Sequence, residues 1–201
     1  MPLKFRPAEP RDAELAVPLI YSSGPAAFDY AFKRAGLSAE GFLHAAFLDG
    51  AGMFGYPRHW VGEFGGKVVA AGTGYSGEVN FRNMLSASRQ IFLCYGPVSA
   101  VPVMINGLRL EQIIQPPPKQ TYYLAHLGVA EGMRGEGIGT RLVEHLLKLG
   151  KAAGFQLAAL DVAASNPQAQ ALYERLGFCV VDERVSALPG IANHRYMTRA
   201  F

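Results

Sequence analysis

The stretch Arg134-Gly135-Glu136-Gly137-Ile138-Gly139-Thr140 decides how this chain is read. Before it, the apolar run Thr121 to Val129 reads as a strand. After it, Ile138, Leu142, Leu146 and Leu149 recur at helical spacing, flanked by Val143 and Leu147, with Arg141, Glu144, His145 and Lys148 pointing outward. Glycines between a strand and a helix let backbone N–H groups close on an anion. The helix start adds its unpaired donors and the positive end of its dipole, and Arg134 adds a charge. The spacing therefore predicts a phosphate or pyrophosphate site, followed by a helix over Gly137 to Ala153 that stops at Gly154.

Toward the C-terminus, Gln156 to Val162 reads as a second apolar strand, so that strand, loop, helix and strand form a βαβ unit. Pro167 to Leu176 reads as a helix, with Asn166 at the N-cap, Pro167 in the first turn and Gly177 as the stop. Cys179 to Arg184 and His194 to Thr198 read as further strands. Toward the N-terminus, Trp60 to Phe64 and Lys67 to Tyr75 read as strands joined by Gly65-Gly66, a two-residue turn whose positive φ glycine tolerates. Leu3 to Arg6 reads as a short first strand. Helices are expected over Asp12 to Tyr21, Ala26 to Arg34 and Ser38 to Leu48, with Ser38 as an N-cap. The segment Glu78 to Gln120 fits this pattern least. It combines a helix around Phe81 to Tyr95, an apolar stretch and the stiff Pro116-Pro117-Pro118 run, and reads as a less typical, substrate-facing insertion in a single domain over residues 1–201.

Composition narrows the partners. The 201 residues are 50% hydrophobic and 17% charged, enough to bury one sizeable core. A net charge of +3 with scattered basic residues does not describe a nucleic-acid surface, though it mildly favours an anionic ligand. Cys94 and Cys179 lack metal-ligand spacing, so no metal is expected and both read as free thiols in a reducing, cytoplasmic compartment. No membrane partner is expected either. Met1 to Arg11 is too charged and proline-broken for a signal segment, and the longest apolar run, near Val98 to Leu110, is interrupted by Pro102, Asn106 and Arg109. A homodimer is compatible with this composition.

Two nucleotide-loop readings fit the glycines poorly. A Walker loop needs Lys and then Ser or Thr after its second glycine, and Gly137 is followed by Ile138 and Gly139. A dinucleotide fingerprint matches at Gly135 and Gly137, and Asp161 ends the next strand where a ribose-binding acid would sit. Yet Thr140 and Leu142 do not supply the third glycine, and too few residues follow for the rest of a doubly wound sheet. A third pattern uses more residues: Leu127-Gly128-Val129, then Arg134-x-x-Gly137-x-Gly139, then Asn166, Leu172-Tyr173 and Leu176-Gly177-Phe178, in that order. Over about Tyr122 to Phe178 this closely resembles the GCN5-related N-acetyltransferase superfamily, whose acyl-CoA signature is Arg or Gln, two residues, Gly, one residue, then Gly or Ala. The resemblance implies a mixed α/β fold with a central twisted, mostly antiparallel sheet and helices on both faces.

The resemblance also implies a chemistry: acetyl-CoA as co-substrate, and direct transfer of its acetyl group to a primary amine of a small molecule or peptide. The loop residues Arg134, Gly135, Glu136, Gly137, Ile138, Gly139 and Thr140 would anchor the pyrophosphate. Leu127, Gly128 and Val129 would offer main-chain groups to the pantetheine arm and an N–H to the thioester oxygen. By the same resemblance Asn166 bonds that arm and Tyr173 protonates the leaving sulfur. The two stand seven residues apart, about two helical turns, and a tyrosine is protonated at neutral pH. Each also has a plainer role open to it, Asn166 as a cap and Tyr173 as a packed aromatic.

An alkylammonium acceptor, with a pKa near 10.4, must lose a proton before it attacks. His126, read as sharing a strand face with Tyr122 and Leu124, is the nearest base; Glu63 on the earlier hairpin is the second choice, and water is a further carrier. His44 and His59 have only their residue type in their favour. Phe28, Tyr30, Phe32 and Phe42 read as core before they read as an acceptor pocket. Neither cysteine lies within the signature, which disfavours an acyl-enzyme. A non-catalytic acyl-CoA-binding or sensing module is the alternative, and the dinucleotide binder stands third.

Overall fold

The computed structural model describes residues 2–201. Gly65 (φ 59°) and Gly66 (φ 78°) both adopt the left-handed conformation of the two-residue turn whose twist matches its strands, and they join β2 (His59–Phe64) to β3 (Lys67–Tyr75). β1 (Lys4–Pro7) pairs antiparallel with β2, and β4 (Thr121–Val129) antiparallel with β3. The helix α5 (Ile138–Ala152) then crosses the sheet and delivers β5 (Leu157–Ala163) parallel to β4, which is the βαβ unit read from the sequence. β7 (His194–Ala200) inserts between β5 and β6 (Cys179–Arg184), giving seven strands in the order β1-β2-β3-β4-β5-β7-β6. Every neighbour pair but β4/β5 is antiparallel, so a doubly wound nucleotide sheet is absent from the described residues.

Helices cover both faces. α1 (Ala13–Ser22), α2 (Pro25–Phe32), α3 (Ala39–Asp49) and α4 (Asn80–Leu110) share one core, while α5 and α6 (Pro167–Arg175) share the other. Their boundaries follow local chemistry. Ser38 Oγ accepts the Gly41 N–H at 3.0 Å to start α3, and Asn166 Oδ1 accepts the Ala169 N–H at 3.1 Å to start α6. Gly50, Gly154 and Gly177 stop α3, α5 and α6 in the left-handed region. α5 buries Ile138, Leu142, Val143, Leu146 and Leu147, each contributing roughly 1.5–3 kcal/mol of transfer free energy. His145, expected to point outward, instead packs between Phe5 and Trp60, with ring centroids 4.8 and 4.5 Å away, because the β1–β2 edge folds over that side of the helix. On the opposite face α1 lies so close to β4 that a Cβ on Gly128 would meet the Leu19 carbonyl oxygen at 2.0 Å, which accounts for a glycine there.

The 78–120 segment departs furthest from its sequence reading. The helix does not stop near Tyr95. It bends at Gly96 (φ 70°, ψ 170°) and continues to Leu110 through Pro97 and Pro102. Pro97 opens the second arm, where its missing N–H costs nothing. By length and composition the span Gly77–Leu110 is apolar enough to cross a membrane, with a mean hydropathy of 1.6 over an 18-residue window of which 17% is buried; the expectation of no such span is corrected to that extent. As folded, however, residues 80–95 and 97–110 are separate arms that rise about 24 and 21 Å, short of the ~30 Å hydrocarbon core. Their inner side packs on α2 and α3, and Phe81, Leu93, Val98 and Leu108 remain exposed.

Candidate active site

The site begins where β4 and β5 part. The two strands pair only from Thr121↔Leu157 to Tyr123↔Ala159; beyond that β4 keeps β3, β5 keeps β7, and the edges facing each other are unpaired. Main-chain N–H and C=O groups left on the inside of such a fork need partners, which suits an extended ligand carrying amides of its own. A bulge sits at the same level. Between Ala71↔Gly128 and Thr73↔Ala125, β3 supplies only Gly72 while β4 supplies both His126 and Leu127, and His126 takes φ 57°. This slip overturns one sequence expectation. Tyr122 and Leu124 pack toward α5, whereas His126 is turned to the other face, among Phe28, Phe54 and His59.

The glycine loop has the shape expected of an anion cradle. Gly135 (φ 83°) and Gly137 (φ 73°) are left-handed, Gly137 is the N-cap of α5, and no side chain caps that helix. The first-turn N–H groups of Ile138, Gly139 and Thr140 have no carbonyl within their own helix to bond. A Cβ on Gly139 would press on Leu172 Cδ1 at 3.3 Å, so the glycine lets α6 close against the loop.

A cleft of about 1210 Å³ joins these features. Residues 127–129 of β4, Arg134, Gly135, Gly137 to Thr140, Asn166 and Tyr173 line it, and so does His126. Two candidates are not brought there. Glu136 is exposed and outside the lining, because the turn at Gly135 and Gly137 aims its side chain at solvent. Glu63 lies at the far end of β2, about 13 Å along the strand from His59, where its carboxylate accepts from Arg6 Nε at 3.0 Å. Asp161, the supposed ribose-binding acid, is within β5 and already accepts from Tyr123 Oη at 2.7 Å and Arg184 Nη1 at 3.0 Å. Among the aromatics weighed for an acceptor pocket, Phe28 and Phe32 line the cleft, whereas Phe42 is wholly buried in the core.

Residue type alone did not reveal His59. Its Nδ1 lies 3.0 Å from the Gly55 carbonyl, which can only accept, so the proton sits on Nδ1 and Nε2 carries a lone pair. That lone pair faces His126 Nδ1 at 3.0 Å. The network thus assigns His126 the Nδ1–H tautomer and leaves its Nε2 free to accept a proton. Burial pushes His59 down to about 4, offset in part by the bond to Gly55, and burial, followed by the charge of His59, holds His126 well below the usual imidazole range. Both rings are therefore neutral at pH 7. Burial raises Tyr173 to about 12, so its hydroxyl keeps its proton throughout the physiological range. Burial also raises Asp161 to about 6, against the lowering effects of Tyr123 and Arg184.

Similarity to known proteins agrees with this geometry. Residues 31–178 match the model of the acetyltransferase (GNAT) family. The chain is 40% identical over 57 residues to N-alpha-acetyltransferase 30 of Schizosaccharomyces pombe, covering 28% of this chain and 38% of that protein. It is 37% identical over 60 residues to the 5-NmdU N-acetyltransferase of Pseudomonas phage PaMx11, covering 30% and 41%. The matched part thus spans about two fifths of each of these relatives. In fold it is similar to an N-acetyltransferase from Staphylococcus aureus Mu50 (TM-score 0.73, 19% identity, 98% of this chain and 100% of that one). It is likewise similar to a GCN5-related N-acetyltransferase from Kribbella flavida (TM-score 0.60, 18% identity, 99% and 98%). With about three quarters of its length matched by the family model, and with the forked strands and open helix start in place, the chain belongs to the GNAT acetyltransferase family.

Proposed function

We propose that the protein is an acetyl-CoA-dependent N-acetyltransferase that moves an acetyl group directly to a primary amine. One observation carries this reading: a single cleft contains the uncapped start of α5, the open fork of β4 and β5, a neutral His126 with a free Nε2, and the Tyr173 hydroxyl. When bound, acetyl-CoA would supply the activated acetyl group. Gly135 and Gly137 to Thr140, with Arg134, would hold its pyrophosphate by backbone donors and charge, and the inner edge of β4 would bond the pantetheine amides. Asn166 uses Oδ1 for its cap and keeps Nδ2 to donate, so the two roles weighed for it are compatible.

The proton steps rest on these pKa directions. His126 is too weak a base to strip a free alkylammonium near 10.4, so it is matched to the nitrogen whose acidity rises as the nitrogen–carbon bond forms. Nε2 takes that proton, and the bond from Nδ1 to His59 helps share the charge. The carbon–sulfur bond breaks as Tyr173 donates to the sulfur. Full transfer from a phenol near 12 to a thiolate near 8.5 is uphill, so Tyr173 contributes chiefly through a hydrogen bond that strengthens as negative charge develops. The proton held at His126 Nε2 balances the departing thiolate and passes to it through solvent, so the products are the free thiol and the N-acetyl amine. Two free cysteines, one of them exposed, fit a cytoplasmic setting.

Thermal shifts with acetyl-CoA, CoA and NAD test the cofactor, because a ligand of the native state raises the melting temperature. Thiol release across an amine panel tests turnover. Stabilisation by NAD alone would remove the reading, and binding of acetyl-CoA without thiol release from any amine would leave a sensor.

A further inference from the structure

The acceptor side of the cleft is mostly apolar. Phe28 and Phe32 of α2, Phe54, and Ile91, Val103 and Met104 of α4 form most of its walls. On α4 they are broken by Asn80, Ser88 and Asn83, whose buried Oδ1 has no partner among the described residues. Titratable groups lie on the sheet floor, where His126, Tyr75 and the Tyr123–Asp161 pair face the cavity, and at Glu111, just beyond α4. Nothing pairs with the Glu111 carboxylate among the described residues, and partial burial raises its pKa. The arginines that line the cleft, Arg134 and Arg175, stand in the glycine loop and at the end of α6, on the cofactor side. Arg184 lies behind the floor, held by Asp161 and the Ile113 carbonyl.

Building on the acetyl-transfer reading, we propose that the acceptor is a small primary amine on an apolar body without a carboxylate, an arylalkylamine or alkylamine. The amine end meets the polar floor, where the unpaired Glu111 carboxylate favours a cation and His126 receives the proton. The body lies against the helices, where each buried methylene gains affinity. An amino acid would bring its carboxylate into a mostly apolar wall facing Glu111, with Arg184 behind the floor already held by Asp161, which is a costly burial of charge. A polyamine would leave its second ammonium against Phe28 or Ile91. A peptide would find little backbone to pair with: the outer sheet edges are β1 and β6, away from the cleft, the inner edge of β4 at the fork is the one assigned to the pantetheine amides, and the acceptor walls are helices.

The test is thiol release from acetyl-CoA with 2-phenylethylamine, phenylalanine, putrescine and the n-alkylamines from ethyl to hexyl. Phenylethylamine should exceed phenylalanine in kcat/KM by about a hundredfold. The alkyl series should climb about three- to fourfold per methylene. Met104→Gln should flatten that climb while the acetyl-CoA thermal shift, which reports a folded cofactor site, stays in place. Phenylalanine or putrescine as the better acceptor, a flat alkyl series, or acetyl-CoA binding with no amine turned over would each overturn this assignment. A missing acetyl-CoA shift would strike the acetyl-transfer reading itself, and this one with it.

Discussion

The two ends of the cleft are made from different materials. At the cofactor end the working groups are main-chain amides, exposed by glycines at positive φ and by a fork between strands. At the acceptor end they are side chains from α2, α4, β4 and the 51–58 loop, and His126 among them is held by His59, 67 positions away in the chain. A backbone site depends on local conformation and tolerates almost any neighbouring side chain. A side-chain site can be re-cut without touching the cradle. The two ends should therefore respond differently to substitution, and the expected effects fall in a definite order.

The largest should come from the cradle. Arg134→Ala with Gly137→Val removes a charge and forces a β-branched residue into φ 73°, a strain of about 1–2 kcal/mol, so acetyl-CoA affinity in titration calorimetry should fall by about a hundredfold with the fold retained. Unchanged affinity would break the comparison at its stronger side. Close behind, His126→Ala should lower kcat by about a hundredfold while acetyl-CoA affinity stays within about twofold, because His126 serves the amine and not the pyrophosphate. In the wild type, kcat/KM for an alkylamine should rise about tenfold per unit between pH 7 and 9 as the neutral amine grows in; a pH-independent rate would remove the neutral nucleophile from the scheme.

Tyr173→Phe should lower kcat by about tenfold, less than the base does, since it deletes a hydrogen bond and not a full proton transfer; equal rates would leave Tyr173 as a packing residue. Stability supplies a further contrast. His59 has a folded pKa near 4 against about 6.5 when unfolded, so the unfolded chain binds the extra proton between those values. Stability should therefore fall as pH drops from about 6.5 to about 4, by as much as about 3 kcal/mol, and His59→Phe should flatten that slope in acid denaturation. The smallest effect belongs to the outer face of α4. Leu93→Gln and Val101→Ser are exposed and outside the cleft, so stability should change by about 0.5 kcal/mol or less and acetyl-CoA affinity should hold.

The cradle was legible in the sequence because its chemistry is local. Gly135, Gly137 and Gly139 are close neighbours, the apolar stripe of α5 comes directly after them, and Asn166 with Pro167 announces α6. The hairpin at Gly65-Gly66 was legible for the same reason. The helix through Pro97 and Pro102 was not: Pro97 only opens a second arm after the bend at Gly96, and Pro102, which argues against a helix interior, is overridden by packing on α2 and α3. Strict alternation along β4 misplaced His126, because one extra residue opposite Gly72 reverses the face taken by the side chains at the bulge. Glu63 was misjudged on residue type, with nothing to show that Arg6 would claim it.

By itself, then, the sequence determined the βαβ unit, the anion-binding turn and the caps, since each is set by residues within a few positions of one another and by the conformations that glycine, proline and short polar side chains allow. The tertiary structure decided which histidine is paired, where the strands fork and which apolar residues wall the acceptor space. Those outcomes depend on sheet register and on contacts between segments dozens of residues apart, and short-range spacing does not encode them.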